Sequence, residues 1–337
     1  MHRFFRGDIM QRKWDRLQSI AAALGLLVLI FDSRRALEGA RSGLELCIQT
    51  VIPSLFPFFL LSMQLTNSHW QTNFCSMQFL CKVFRIPKTA EAVLIPAFLG
   101  GYPVGAKCVA DLYQRNQISQ KEAQRLLTFC SNAGPAFLFG MVSGFFPEQK
   151  MVWLLWLIHI LSAALTSATV PAEKTEHNIP QPEKTAGKPS IIWSAAKAMC
   201  LVCCWVIVFR IIITFLNGWF LWMLPKWLQT LIMGSLELTN GCCELSQITD
   251  VNMRFILCSC ILAFGGISVL FQTASVTQGL PIRCYIKGKL MQTTFSFLLS
   301  CAVVLDHGPV IAAWIPILLF IFRKSQNRYS NPEVLPV

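Results

Sequence analysis

Four apolar stretches of this 337-residue chain are long enough to enter a bilayer, yet each is interrupted by residues that break or bend a helix. They are Leu44–Leu65 (Pro53, Pro57), Ala90–Leu112 (Gly100-Gly-Tyr-Pro103), Phe129–Phe146 (Asn132-Ala-Gly-Pro135) and Phe255–Val276 (Gly265-Gly266). A helix broken in hydrocarbon leaves N–H and C=O groups without partners, at several kcal/mol each. Such breaks persist only where protein or a wet cavity satisfies those groups again. One Pro kink is ordinary in a membrane helix. Four interrupted segments point to a shared interior.

The remaining composition agrees. Hydrophobic residues make up 54% of the chain, charged residues only 14%, and the mean hydropathy is +0.52. Soluble domains carry about 25% charged residues, so a water-soluble enzyme of ordinary make-up is excluded, as is a disordered or fibrous chain. The expected fold class is all-α: a polytopic membrane protein with lipid as its surrounding partner. The net charge of +12 reads as basic loops facing the cytoplasm. No nucleic-acid-binding motif accompanies it.

Uninterrupted runs complete the membrane part: Met151–Val170, Ile191–Leu216, Leu290–Leu305 and the shorter Val310–Phe322, which contains Pro316. Arg3, Arg6, Arg12, Lys13 and Arg16 precede the apolar run Leu17–Phe31 in the manner of a signal peptide. Asp32-Ser-Arg-Arg35 then stands where small residues would mark cleavage, so the run is read as an uncleaved first helix. Basic residues at both ends place both termini in the cytoplasm and make the number of crossings even, within about eight to ten membrane segments. Pro171–Ser190 is polar and Pro-rich, a flexible linker. The organisation expected is a tail (1–16), a first membrane half (17–170), the linker (171–190), a second half (191–323) and a C-terminal tail (324–337).

The halves echo each other. Ser42-Gly-Leu-Glu-Leu46 matches Gly234-Ser-Leu-Glu-Leu238, and Phe98-Leu-Gly-Gly-Tyr-Pro-Val104 matches Ala263-Phe-Gly-Gly-Ile-Ser-Val269. Interrupted segments in corresponding places of two halves are a pointer to a transporter built from repeats. Ser119-Gln-Lys-Glu122 is a capping box, opening an amphipathic helix with Ala123, Leu126, Leu127 and Cys130 on its apolar face. Of the fourteen cysteines, those within apolar runs read as small hydrophobes. Cys200-Leu-Val-Cys203 has no second pair to make a zinc site, and Cys242-Cys243 is assigned no metal.

The segments GLELCIQTVIPSLFPFFLLS, FLGGYPVGAK, SQKEAQRLLTFCSNAGPAFLFGMVSGFF and ILAFGGISVLFQTASV together resemble the YlbJ-type sporulation integral membrane proteins. That family falls in the nucleoside-recognition (Gate) domain superfamily, which is similar to the cores of concentrative nucleoside transporters. The resemblance runs from about Ser42 to Ser300, and GGYPVGAK with EAQRLLTFCSNAGP is its most specific part. It implies a bacterial cell membrane, or the membranes around a developing spore, and transport of the dianion dipicolinate. Composition carries no trace of that substrate.

An anion crossing a membrane needs donors in a dry place, without a charge that traps it. Helix ends at the breaks supply them. The expected substrate-binding set is Gly100, Gly101, Tyr102, Pro103, Lys107, Ser131, Asn132, Gly134, Pro135, Gly265, Gly266, Ser268 and Gln272. For the glycines, close helix packing is the competing explanation; for Lys107, snorkelling to the interface. Glu45, Glu237, Thr239 and Asn240 are candidates for binding a coupling ion (proton or sodium) or for pairing, Lys107 being one potential partner of the acids. His159 reads as a paired bundle residue, and Lys197 and Arg210 point to the interfaces or the cavity. No hydrolase elbow, phosphate loop or metalloprotease motif is present, so neither enzyme activity nor a cofactor or metal is expected. A membrane scaffold for spore-envelope assembly and a nucleoside-like transporter are the alternatives. Oligomeric state is not legible.

Overall fold

A computed structural model of the chain describes residues 19–20, 22–67, 75–172, 190–305 and 308–330, and among these every regular element is a helix. The basic N-terminal tail, nearly all of the linker and the last seven residues lie outside the described residues, so the expected side of each terminus does too. Among the described residues four helices are long and apolar enough to cross a membrane: Ser33–Leu61, Gln149–Thr169, Ile191–Trp219 and Val251–Val276.

The chain enters through α1 (Ala22–Phe31) and α2 (Ser33–Leu46). Asp32 caps α2, its carboxylate accepting from the Arg35 N–H. The break expected around Pro53 and Pro57 is absent. A π-turn (Cys47–Val51) joins α2 to α3 (Ile52–Asn67), with the Ile52 N–H reaching back five residues to the Cys47 carbonyl. The wider turn shifts the hydrogen-bond register just ahead of Pro53, and the helix continues without a break.

The partner of α2 is α10 (Ile191–Trp219). Gly39 and Gly43 form a G-x-x-x-G face on which a Cβ would come 2.9 Å from Ile211 Cα and 3.0 Å from Ile207 Cα. Backbones this close gain dispersion contacts that lipid cannot supply. At 29 residues α10 is about 43 Å long, enough for the hydrocarbon core and both interfaces. Exposed Trp193 near its start, and Trp219 and Trp222 at its end, suit headgroup depth.

The other three expected breaks are present. Helix α4 (Cys75–Phe84) leads to α5 (Leu94–Leu99), which stops at Gly100 before α6 (Val104–Gln114) resumes. Helix α7 (Gln120–Leu127) opens on the complete Ser119–Glu122 capping box, and its residues Ala123, Leu126 and Leu127 are fully buried. Arg125 on the same helix is buried too. Its guanidinium donates to the Phe84 and Arg85 carbonyls, closing the end of α4. Residues 131–134 are irregular, Pro135 begins α8 (Pro135–Gly140), and α9 (Gln149–Thr169) follows.

Beyond the linker, α11 (Lys226–Leu236) breaks at Glu237 into α12 (Leu238–Glu244), and α13 (Val251–Phe264) breaks at Gly265 into α14 (Gly266–Val276). Helix α15 (Ile282–Val304) begins well before Leu290, where the apolar run of the sequence starts. Helices α16 (Gly308–Ala312) and α17 (Trp314–Ser330) close the chain; the tail expected from residue 324 is still helical through Ser330.

The linker does not separate two cores. Cys47, Phe59, Ala97, Val109 and Leu126 pack with Ala195, Val202 and Val206 in one apolar cluster. Leu138, Val152 and Leu155 pack with Leu238, Cys258 and Leu262 in another. Each cluster draws on both sides of the linker.

Candidate functional site

The breaks converge. A Cβ on Gly134 would lie 3.0 Å from both Gly101 N and Leu99 O, so the two breaks of the first half touch through backbone. Gly265 (φ +81°) has no side chain between its backbone and the Tyr102 ring, whose Cζ would stand 3.2 Å from a Cβ there. Gly266 (φ +86°) lies against Gly234 O and Glu237 Cα, where a Cβ would come within 3.1 and 3.3 Å. Left-handed φ and close approach together restrict these positions to glycine.

One face of α15 meets three of the breaks, at Tyr102, Asn132 and Ala263. Tyr285, Lys289, Gln292 and Ser296 recur at helical spacing and are all buried. Gly288, beside this face, lets α15 close on the Thr128 backbone at the end of α7. The Lys289 ammonium donates to Tyr102 Oη (2.8 Å), Gln292 Oε1 (2.6 Å) and Ala263 O (3.3 Å), three acceptors for three protons. Tyr102 passes its own proton to Leu262 O at 3.0 Å. Gln292 Nε2 donates to Asn132 Oδ1 at 2.9 Å, and Asn132 Nδ2 donates to Phe129 O (2.8 Å) and Ala97 O (3.1 Å). His159 Nε2 accepts from the Ala133 N–H at 3.1 Å. Backbone groups freed by the breaks are thus recaptured by side chains, as a non-aqueous interior requires.

A second polar chain serves the break at Glu237. The carboxylate, 1% exposed, caps α12 by accepting from Asn240 N and Asn240 Nδ2, each at 2.8 Å. Asn240 Oδ1 accepts from Arg210 Nη1, and Arg210 Nε donates to Ser42 Oγ at 3.0 Å. An acid at the start of α12 and a base on α10 are therefore joined through one amide, with α2 tied on behind. Arg210 points inward; Lys197, on the same helix, is exposed.

Between the two chains lies a cavity of about 40 Å³, enough for one or two waters. Tyr102, Ala133 and Phe137 line it from the first half's breaks, and Glu237, Thr239, Val269 and Gln272 from the second's. Thr50 within the π-turn, Ser54 just after it, and Val202 and Val206 of α10 add to the wall. Gln272 donates to Ser268 Oγ at 3.0 Å. Pro103 caps α6 and Pro135 opens α8, so both shape helix starts.

Two expected members sit elsewhere. Lys107 is ion-paired with Asp111 one turn along α6, not with Glu237 or Glu45. Glu45 lies exposed on α2 and accepts from Gln49 at 3.0 Å. The uninterrupted α2–α3 helix carries it outward, so the sequence echo with Glu237 is not one of position. Lys289, Tyr285 and Gln292 stand outside the expected set. The first two precede the apolar run at Leu290 and resemble its charged flank, and the third lies at its edge. The i, i+3, i+7, i+11 spacing of Lys289, Gln292, Ser296 and Ser300 is the signal that finds them.

Comparison with known proteins is consistent with this picture. The chain is 28% identical over 346 residues to the sporulation integral membrane protein YlbJ of Bacillus subtilis (strain 168), covering 88% of this chain and 83% of that protein. No family model matches the chain. No solved structure matches it either. The similarity spans most of both proteins, so the chain is similar over nearly its whole length to a sporulation integral membrane protein.

Proposed function

We propose that this protein carries a small organic anion across a membrane during sporulation, through the cavity where its broken helices meet. The observation that supports this reading is the convergence of breaks from both halves on one small cavity, with a buried ammonium one side chain away at Lys289. Broken helices around a central cavity are the architecture of secondary transporters. A scaffold gains nothing from them, and each break has to be repaired by buried polar groups. Dipicolinate, the dianion that the family resemblance implies, is the substrate to test first. Glu237 lines the same cavity and would repel an anion, so a proton or sodium ion at the Glu237–Thr239–Asn240 corner is the coupling ion in this reading. The role is non-enzymatic, and both termini stand on the cytoplasmic side.

The test is uptake by proteoliposomes carrying the full-length protein, with labelled dipicolinate, uridine and a neutral amino acid supplied separately, with and without a proton or sodium gradient. Saturable dipicolinate uptake that responds to one gradient is expected. Uridine uptake without dipicolinate uptake would favour a nucleoside-like substrate, and no uptake of any of the three would favour the scaffold.

A further inference from the structure

Three buried hydroxyls next to the Lys289 site have no hydrogen-bond partner: Ser131 Oγ, Thr273 Oγ1 and Tyr285 Oη. They come from the second break, from α14 and from α15, and the Ser131 and Thr273 hydroxyls lie near enough to the Tyr285 hydroxyl to interact with it, without the geometry of a formed hydrogen bond. Ser131, Thr273 and Tyr285 are 0%, 0% and 2% exposed. A native interior seldom leaves even one such group unmade, because each costs the desolvation of a donor. Three together, from three elements, mark a place where something polar binds.

Lys289 gives that place its sign. Lys289 is 1% exposed, and all three acceptors of its ammonium are uncharged. Among the described residues no carboxylate forms an ion pair with it. Its nitrogen lies 4.8 Å from the centre of the Tyr102 ring and 5.9 Å from that of Tyr285, so the orphan hydroxyl of Tyr285 belongs to the same neighbourhood. Hydroxyls donate as well as accept. Beside an ammonium they favour an anion over a metal cation, which the ammonium would repel.

Access runs past one ring. Tyr102 both lines the cavity and holds Lys289 through its hydroxyl. Ser131 and Thr273 lie two and one residues from the cavity-lining Ala133 and Gln272. We infer that Lys289, with the hydroxyls of Ser131, Thr273 and Tyr285, forms a subsite for one carboxylate of the substrate, entered from the cavity when the Tyr102 hydroxyl gives up its place on the ammonium. Binding exchanges a neutral acceptor for a charged one, and the three hydroxyls donate to the incoming oxygens. The inference rests on the anion reading above and deepens it by naming the residues that read the charge.

The experiment measures binding by intrinsic tryptophan fluorescence of the full-length protein in detergent, using dipicolinate, the monocarboxylate picolinate and uncharged pyridine as probes. Picolinate and dipicolinate are expected to bind and pyridine not. Lys289→Gln should weaken both carboxylates by about ten- to a hundredfold, and Lys289→Arg should restore part of the loss. Tyr285→Phe and Thr273→Val remove hydroxyls that make no well-formed hydrogen bond within the protein. They should leave the unfolding midpoint level or raised, yet each should weaken carboxylate binding about three- to tenfold, an effect that a packing role would not produce. These two variants keep the test decisive if Lys289→Gln does not fold. Carboxylate binding unchanged in both hydroxyl variants, or in a folded Lys289→Gln protein, overturns the subsite even if vesicles carry dipicolinate. Lys289-dependent picolinate binding by protein that moves no dipicolinate keeps the subsite and removes the transport reading. A wild-type protein that binds neither carboxylate overturns the subsite.

Discussion

Lys289 donates to the hydroxyl of Tyr102 at 2.8 Å, joining residues 187 positions apart and fastening the first Gly-Gly break to the last long buried helix. Tyr102 in turn rests on Gly265, the corresponding break of the second half. The molecule's centre is therefore built from segments that could not be stable alone in lipid, each lending the polar groups that another lacks.

Asn132 is the hub of that exchange, with two carbonyls and one amide bonded to its side chain. Asn132→Ala should take a buried partner from each of these groups, at about 1–3 kcal/mol for each that neither water nor another polar group reaches. A fall in the thermal unfolding midpoint larger than that of Ser143→Ala, a half-buried single hydrogen bond to Phe139 O, is the expected result.

Two glycines with the same backbone conformation separate strain from contact. Gly279 (φ +87°) has open space where the methyl group of an alanine would sit, whereas Gly265 (φ +81°) faces the Tyr102 ring. Gly279→Ala should cost about 1 kcal/mol, from the left-handed backbone alone. Gly265→Ala should cost more and should also disturb Tyr102, read out as lost carboxylate binding. Equal behaviour of the two variants would mean that the contact with Tyr102 carries no weight.

Arg210 bridges three helices, so its loss should exceed that of any one bond. Arg210→Met is expected to destabilise the protein by about 2–3 kcal/mol, against about 1 kcal/mol for Ser42→Ala. Arg210→Lys should not rescue it, because an ammonium lacks the fork that serves Ser42 and Asn240 together. Denaturation midpoints of the three variants, followed by circular dichroism, decide this.

Lys107 and Lys289 make opposite predictions from similar chemistry. Lys107 pairs with Asp111 along one helix and is partly exposed, a contact worth about 0.3–0.5 kcal/mol. Lys107→Gln should leave dipicolinate uptake within about twofold of the wild type, measured in vesicles at matched protein density. A loss comparable to that of Lys289→Gln would return Lys107 to the substrate path.

Much of this is legible along the chain. Long apolar runs, basic flanks, Gly-Gly and Asn-Ala-Gly-Pro interruptions and the Ser119–Glu122 box are local signals, and lipid leaves a backbone few alternatives to the helix. The breaks at Gly100, Asn132 and Gly265 therefore stand where composition puts them. The Pro53–Pro57 stretch does not break, because the π-turn just upstream absorbs the defect by a change of register that leaves no mark in composition.

What only the tertiary structure decided is which polar residue meets which. Helical periodicity places Lys289 and Lys287 two positions apart on α15, and only the packing of Gly288 against Thr128 turns Lys289 inward, so that a charge that resembles a headgroup anchor becomes the centre of the site. Glu45 and Glu237 share a local motif, yet one faces outward from a continuous helix and the other caps a helix inside the protein. Side-chain chemistry and helix content are set by neighbours along the chain. The desolvation that gives a charge its function is set by whatever packs over it, which for Lys289 comes from segments up to 187 residues away.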